Sequence, residues 1–171
     1  MPAKYVAIAA ITLDGKIALH KHHMSNWTSK EDKTFLRALL NKSDVIIVGK
    51  NTHKTAEKPL SKRNCLVISR SARRLTNKSA LLTYVKPIKA EIQKIIRARG
   101  YKNIVVLGGA QTYTFCLKND MLDELYLTIE PLAFGRGISL FEGDKNLNAR
   151  FNLISTKQLN KAGSLLLYYK K

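Results

Sequence analysis

Asp32 is the carboxylate in this sequence with the most chemical promise. It follows Trp27 by five residues, lies three residues after Ser29, and precedes Phe35, Leu36, Leu39 and Leu40, apolar positions at helical spacing. Two readings of it stand side by side. In one, Ser29 and Asp32 form a capping pair and the acid serves the helix dipole, an effect of about 0.3–1 kcal/mol. In the other, Trp27, Leu36 and the first strand wall the acid into a largely apolar cleft. A carboxyl so placed has its pKa raised and can hold a cationic or amidine-like ring edge through two hydrogen bonds.

Three further stretches suit phosphate. Ile104-Val105-Val106-Leu107-Gly108-Gly109-Ala110 is an apolar run entering two glycines and a helix start. Glycine there admits a close backbone approach, and a helix N-terminus offers unpaired N–H groups to an anion. A plain tight turn also accounts for the pair, and the spacing is not the GxGxxG of ordinary dinucleotide folds. Val48-Gly49-Lys50-Asn51-Thr52 repeats the arrangement with a cation and a hydroxyl. At the carboxyl ends of parallel strands, two such termini would face one crevice. Ile68-Ser69-Arg70-Ser71-Ala72-Arg73-Arg74 then brings hydroxyls and guanidiniums past the end of another strand. It reads either as a solvated basic loop or as a 2′-phosphate site, which would select NADPH over NADH.

Other chemistries are absent from the sequence. His20, His22 and His23 crowd one loop and His53 stands apart, with no cysteine or acid at ligand spacing, so no metal site is expected. Gly-x-Ser-x-Gly, Walker A and HExxH do not occur. Cys65 and Cys116 have no CxxC partner and read as reduced, buried thiols of a cytoplasmic protein.

The elements that must position these groups alternate along the chain. Apolar runs at Tyr5–Ile11, Val45–Val48, Cys65–Ile68, Leu81–Val85, Ile104–Leu107 and Leu125–Ile129 read as strands, most of them buried on both faces. Helices are expected from Ser29 to Leu40, from Asn51 or Thr52 to before Pro59, from Pro87 at N1 to Gly100 at C′, and from Ala110 through Leu117. The stretch from Asp14 to Trp27 reads as a turn and an irregular loop. Phe151–Thr156 and Ser164–Tyr169 flank Lys161-Ala162-Gly163 as a closing hairpin. Strands alternating with helices imply a mainly parallel sheet covered on both faces, so the whole chain, 1–171, is expected to form one α/β domain.

With 30 Lys and Arg against 12 Asp and Glu, the net charge is +18. That is the footprint of a nucleic-acid binder or of an enzyme with polyanionic ligands. The cations are spread along the chain and no zinc-finger, RNP or heptad pattern accompanies them, which favours the enzyme. No apolar run is long enough to span a membrane, and the N-terminus enters a strand without a signal-peptide pattern.

In order and spacing these pieces resemble dihydrofolate reductase and, more broadly, the superfamily that includes the reductase domain of riboflavin biosynthesis. The carriers are Ile8-Ala9-Ala10 with Asp14-Gly15-Lys16-Ile17, Trp27 with Asp32, Ile47 to Thr52, Pro59-Leu60, Ile68-Ser69-Arg70, Val106 to Tyr113, and Leu125 to Thr128. The resemblance implies NADPH-dependent reduction of 7,8-dihydrofolate, with hydride passing from the nicotinamide to C6 and Asp32 holding the pterin's N3 and 2-amino group. It implies a pterin pocket of Ile8, Ala9, Trp27, Leu36 and Leu60, with the Thr128 hydroxyl orienting the acid. It places Ala10 and Ile17 beside the nicotinamide. Gly49, Lys50, Asn51, Thr52, Ser69, Arg70, Leu107, Gly108, Gly109, Ala110, Gln111, Thr112 and Tyr113 would contact the pyrophosphate and adenosine. The cation for the folate glutamate tail falls at Arg63, or at Lys62 with a one-residue deletion. A small-molecule substrate and a monomer or homodimer are expected.

Other stretches are more similar to the riboflavin branch: Asp14-Gly15-Lys16-Ile17-Ala18, Asp123-Glu124-Leu125, and Phe134 through Phe141. That branch implies an alternative substrate, a ribosylaminopyrimidine. Its deaminase signature, His-x-Glu with Pro-Cys-x-x-Cys, is missing here. The Trp27–Asp32 spacing and Leu107-Gly108-Gly109 favour the folate reading.

Overall fold

The computed structural model describes residues 2–72 and 76–171. The chain runs β1 (Lys4–Ile11), β2 (Lys16–Ala18), α1 (Lys30–Asn41), β3 (Val45–Gly49), α2 (Lys50–Thr55), α3 (Glu57–Leu60), β4 (Cys65–Ile68), β5 (Thr76–Asn77), β6 (Leu82–Val85), α4 (Lys89–Ala98), β7 (Asn103–Val106), α5 (Ala110–Lys118), β8 (Glu124–Ile129), β9 (Ile138–Ser139), β10 (Asn152–Gln158) and β11 (Leu165–Lys170). Among the described residues the main sheet has nine strands in the order β10-β11-β8-β1-β7-β3-β4-β6-β5. The run from β8 to β6 is parallel throughout. Antiparallel strands finish both edges, the β10–β11 hairpin on one side and the short β5 on the other.

The inner parallel strands β3 and β4 carry no polar side chain because helices cover both faces of the sheet. Ile92, Ile95 and Ile96 of α4 and Tyr113, Cys116 and Leu117 of α5 pack on one face, against Ala7, Val45, Ile47, Leu66 and Val106. On the other, Leu40 of α1 and Leu60 of α3 pack with Ile8, Ile46, Val48, Val67 and Val105, and Phe35, Leu36 and Leu39 join them. Ile46, Ile47 and Leu66 are fully enclosed, and burying a side chain of that size contributes about 1.5–3 kcal/mol. Among the described residues no helix is long and apolar enough to cross a membrane.

The structure departs from the sequence expectations in three places. The stretch after Asp14 is not wholly irregular. Lys16–Ala18 pairs antiparallel with Ile138–Ser139, a partner too distant in sequence for local pattern to reveal. The second helix does close before Pro59, at Thr55, but an unexpected further helix follows it. The chain breaks at Ala56 and re-forms as α3 with Pro59 in its first turn, where a missing N–H costs nothing because the helix offers it no partner. Pro87 is not at N1, since Ile88 is the N-cap of α4 and Lys89 its first residue. Gly100, with φ +68°, does follow the C-cap of that helix.

Candidate active site

Parallel strands direct their carboxyl ends to one side of the sheet, and a cleft of about 810 Å3 opens there. Its floor is Ile8, Ala9 and Ala10 of β1, with Gly49, Ile68 and Leu107 at or beyond the ends of β3, β4 and β7. Asp32 enters from the first turn of α1 and Tyr113 from α5. Trp27, Thr28, Lys33 and Leu36 line the α1 side, and Ile17 and Ile138 come from the β2–β9 ribbon.

Ser29 caps α1: its Oγ accepts the backbone N–H of Asp32 at 3.2 Å. Asp32 itself is 4% exposed. Burial pushes its carboxyl above the ordinary value, and the nearby Glu130 pushes the same way, while the Thr128 and Thr28 hydroxyls and Lys33 oppose them. Thr128 Oγ1 lies close enough to favour the charged carboxyl, yet it is buried and makes no well-formed hydrogen bond. Trp27 Nε1 is also buried without a partner. An unpartnered indole N–H on a residue of the cleft wall points to a missing ligand atom, because polar groups buried in a fold are normally satisfied. Tyr113 donates its hydroxyl to the Ile8 carbonyl at 2.5 Å, and burial raises its pKa.

Gly49 and Gly108 also have a packing role of their own. Gly49 N–H donates to the Gly108 carbonyl at 2.6 Å, joining the ends of β3 and β7. A Cβ on Gly49 would meet Thr112 Oγ1 at 2.8 Å, and one on Gly108, whose φ is +93°, would enter the Tyr113 ring. These two positions are glycine so that the two loops can approach each other. The Gly108–Gly109 peptide is cis. Gly49 and Gly109 are N-caps whose helices receive no side-chain cap. The α5 mouth therefore suits a phosphate group.

The other expected cofactor contacts, Lys50, Asn51, Thr52, Ser69, Arg70, Gly109, Ala110, Gln111 and Thr112, all line the cleft. Ser69 Oγ lies 2.9 Å from Ser71 Oγ, with the exposed Arg70 between them in sequence. Arg73 and Arg74 lie outside the described residues.

Five expected site residues are not on the cleft wall. Arg63 donates to Asn41 Oδ1 at 2.6 Å, at the far end of α1, so it does not meet a ligand in the cleft. Lys62 is exposed and also off the wall. Leu60 is a core residue beneath α1, Thr128 stands behind Asp32, and Gly108 lies under the Tyr113 ring.

Sequence reasoning missed Thr28, Lys33, Glu130 and Glu142. Lys33 directly follows Asp32, and Glu130 is two positions from Thr128, on the same strand face, so a period of two could have flagged it. Glu142 had no local signal; its N–H donates to Thr114 Oγ1 at 2.9 Å and so brings it to the cleft from the far loop.

The histidine loop packs over this site. His20, Lys21 and His23 line the cleft, and the rings of His23 and Trp27 meet Phe134 edge-on at 5.5 and 5.2 Å. Asp14 fixes the opposing loop by accepting from Phe134 N at 3.1 Å and Gly135 N at 2.8 Å. The described residues hold no group of three or more metal-ligating side chains. Burial pushes the Cys65 thiol up to about 11 and the Cys116 thiol up to about 12, and neither lines the cleft.

A family profile described as the RibD C-terminal domain matches residues 4–163. The chain belongs to the RibD C-terminal domain family. The dihydrofolate reductase expectation thus holds for the fold, while the family is the RibD one. The chain is similar to the Bacillus subtilis protein YwjB, 25% identical over 96% of this chain and 97% of that one. In fold it is similar to the Thermotoga maritima diaminohydroxyphosphoribosylaminopyrimidine deaminase/5-amino-6-(5-phosphoribosylamino)uracil reductase. The TM-score is 0.73 at 16% identity, with 99% of this chain and 56% of that one covered. It is also similar to Enterococcus faecalis dihydrofolate reductase complexed with NADP(H), with TM-score 0.69 at 19% identity over 98% and 95% of the two chains.

Proposed function

We propose that this member of the RibD C-terminal domain family is an NADPH-dependent reductase of an aminopyrimidine, of the ribosylaminopyrimidine type. The observation that carries the reading is one continuous cleft with a buried carboxyl, Asp32, at one end and the uncapped mouth of α5 with Arg70 at the other. Bound NADPH would supply the hydride. The chain's own residues bind and orient. Gly109 to Thr112 receive the pyrophosphate at the helix mouth, Ser69 and Arg70 take the 2′-phosphate, and Ala10 and Ile17 give the nicotinamide an apolar neighbour. Ionised Asp32 accepts two N–H bonds from the ring edge, with Trp27 Nε1 available to the same ligand and the Thr128 hydroxyl behind the acid. Lys33, beside Asp32 on the cleft wall, suits an anionic substituent on the substrate.

A second reading, dihydrofolate reduction, draws on Asp32, Thr128 and Trp27 standing together as a pterin would need. The diversion of Arg63 to Asn41 weighs against it, since no cation at that position is left for a glutamate tail. The test is NADPH oxidation with 5-amino-6-(5-phosphoribosylamino)uracil and with dihydrofolate, side by side. Turnover with the first supports the proposal. Turnover with dihydrofolate alone replaces it with the second reading, and turnover with neither removes both.

A further inference from the structure

Glu130 follows the last residue of β8, is 3% exposed, and has no part in the binding scheme above. Its carboxylate is divided between two elements. Oε1 accepts the backbone N–H of Ser29 at 2.7 Å, and Oε2 accepts the hydroxyl of Ser164. Ser164 Oγ in turn accepts from Asn160 Nδ2 at 3.0 Å, and the same amide reaches Glu31 Oε2 at 3.2 Å. Glu130 therefore joins the first turn of α1 to the turn between β10 and β11.

The bond to Ser29 bears on Asp32. Ser29 is the N-cap and Asp32 stands at N3. In a closed capping box the N3 side chain returns to the N–H of the N-cap residue. A backbone N–H is one donor, and here Glu130 has it. With that bond taken, the Asp32 carboxylate has no capping partner in its own helix and faces the cleft. The groups around it are Thr28 before α1, Lys33 on α1, Thr128 on β8, Glu130 after β8, and the Tyr113 phenol on α5.

We propose that Glu130 is a positioning residue: it occupies the Ser29 N–H, denies Asp32 the capping bond, and so keeps that carboxylate in the cleft for substrate. The inference rests on the reading of Asp32 as the substrate's partner, and its central test does not need turnover. In 13C-labelled protein the Asp32 carboxyl is titrated in the parent, in Glu130→Met, which fills the space without an acceptor, and in Glu130→Gln, which keeps a carbonyl oxygen for Ser29.

The Met variant should let Asp32 fold back onto Ser29 and titrate about one pH unit lower, since a backbone hydrogen bond favours the charged carboxyl. Its kcat/KM should fall about tenfold or more. The Gln variant should keep most of the activity, with the acid limb of its pH profile moved slightly down by loss of a neighbouring negative charge. In the parent, the Ser29 amide shift should not follow the titration of Asp32. An Asp32 titration unmoved in Glu130→Met, equal activity losses in Met and Gln, or a Ser29 amide that follows Asp32 would each overturn the proposal. Should the parent reduce neither substrate, the reductase reading falls while the titrations still decide the role of Glu130.

Discussion

Asp32 carries the sharpest predictions because its two readings in the sequence part company in the structure. Ser29, not Asp32, supplies the cap, so Asp32→Asn leaves α1 intact. Activity should drop about 10²-fold or more, the scale of losing a group that holds or moves a proton at the reacting ring. The parent's kcat/KM should rise with pH through the elevated Asp32 pKa and then level off, and the variant should lack that limb. Stability should move the opposite way. A carboxyl whose folded pKa is raised binds its proton more tightly in the folded state, so stability falls as pH climbs from the unfolded value through the folded one. Asp32→Asn removes that loss. It should melt above the parent at neutral pH, with the gap closing as pH falls toward the ordinary value of 3.8. A variant with parental turnover in a steady-state assay would take Asp32 out of the mechanism. At the other end of the cleft, Arg70→Ala should weaken NADPH by about 1.5–3 kcal/mol and leave NADH nearly unchanged, as measured by fluorescence titration of both cofactors. Equal losses for the two would leave the 2′-phosphate without its proposed partner.

Between the elements, the junction of β3 and β7 is the feature that shapes the cofactor end of the cleft. The 2.6 Å bond from Gly49 to Gly108 draws the starts of α2 and α5 together. Gly49→Ala should push that junction apart, because its methyl would sit 2.8 Å from Thr112 Oγ1 with Gly108 O and Gly109 N at 3.5 Å. Overpacking of this kind typically costs about 1–3 kcal/mol. The variant should melt earlier and bind NADPH less tightly. Adding Thr112→Ala removes the hydroxyl that the methyl meets, so the double variant should regain part of the lost melting temperature, a non-additivity read from a double-mutant cycle. Strict additivity would place the cost elsewhere.

Across the whole molecule the net charge is +18. Among the described residues the ion pairs gather in a few places, such as Lys4 and Lys170 on Glu124 at 2.9 and 3.8 Å and Lys118 on Asp144 at 2.7 Å. Most cations face solvent, so the molecule should draw anions over a distance set by salt. The association rate of NADPH should fall steeply between low and physiological ionic strength, as stopped-flow fluorescence would show. DNA or RNA binding should be weak, should follow counterion release at about −0.9 per phosphate in a log–log plot, and should be lost at physiological salt. Sequence-selective binding that survives there would overturn the enzyme reading.

The sequence carried the strand and helix alternation, the two-faced burial of the parallel sheet and the closing hairpin. These depend on runs such as Val45–Val48 and on the helical spacing of Ile92, Ile95 and Ile96, and hydrophobic periodicity is local. It also marked most of the cleft, because strand ends followed by glycine and a helix start are local signals too. Contacts between residues far apart in the chain were beyond it. The pairing of Lys16–Ala18 with Ile138–Ser139, the turning of Arg63 to Asn41, the arrival of Glu142, and the reach of Glu130 to Ser29 across 101 positions all arise when distant segments meet. Gly49 and Gly108 show the same division. Their need for glycine was readable, but the reason is the neighbouring loop, which exists only once β3 and β7 lie side by side.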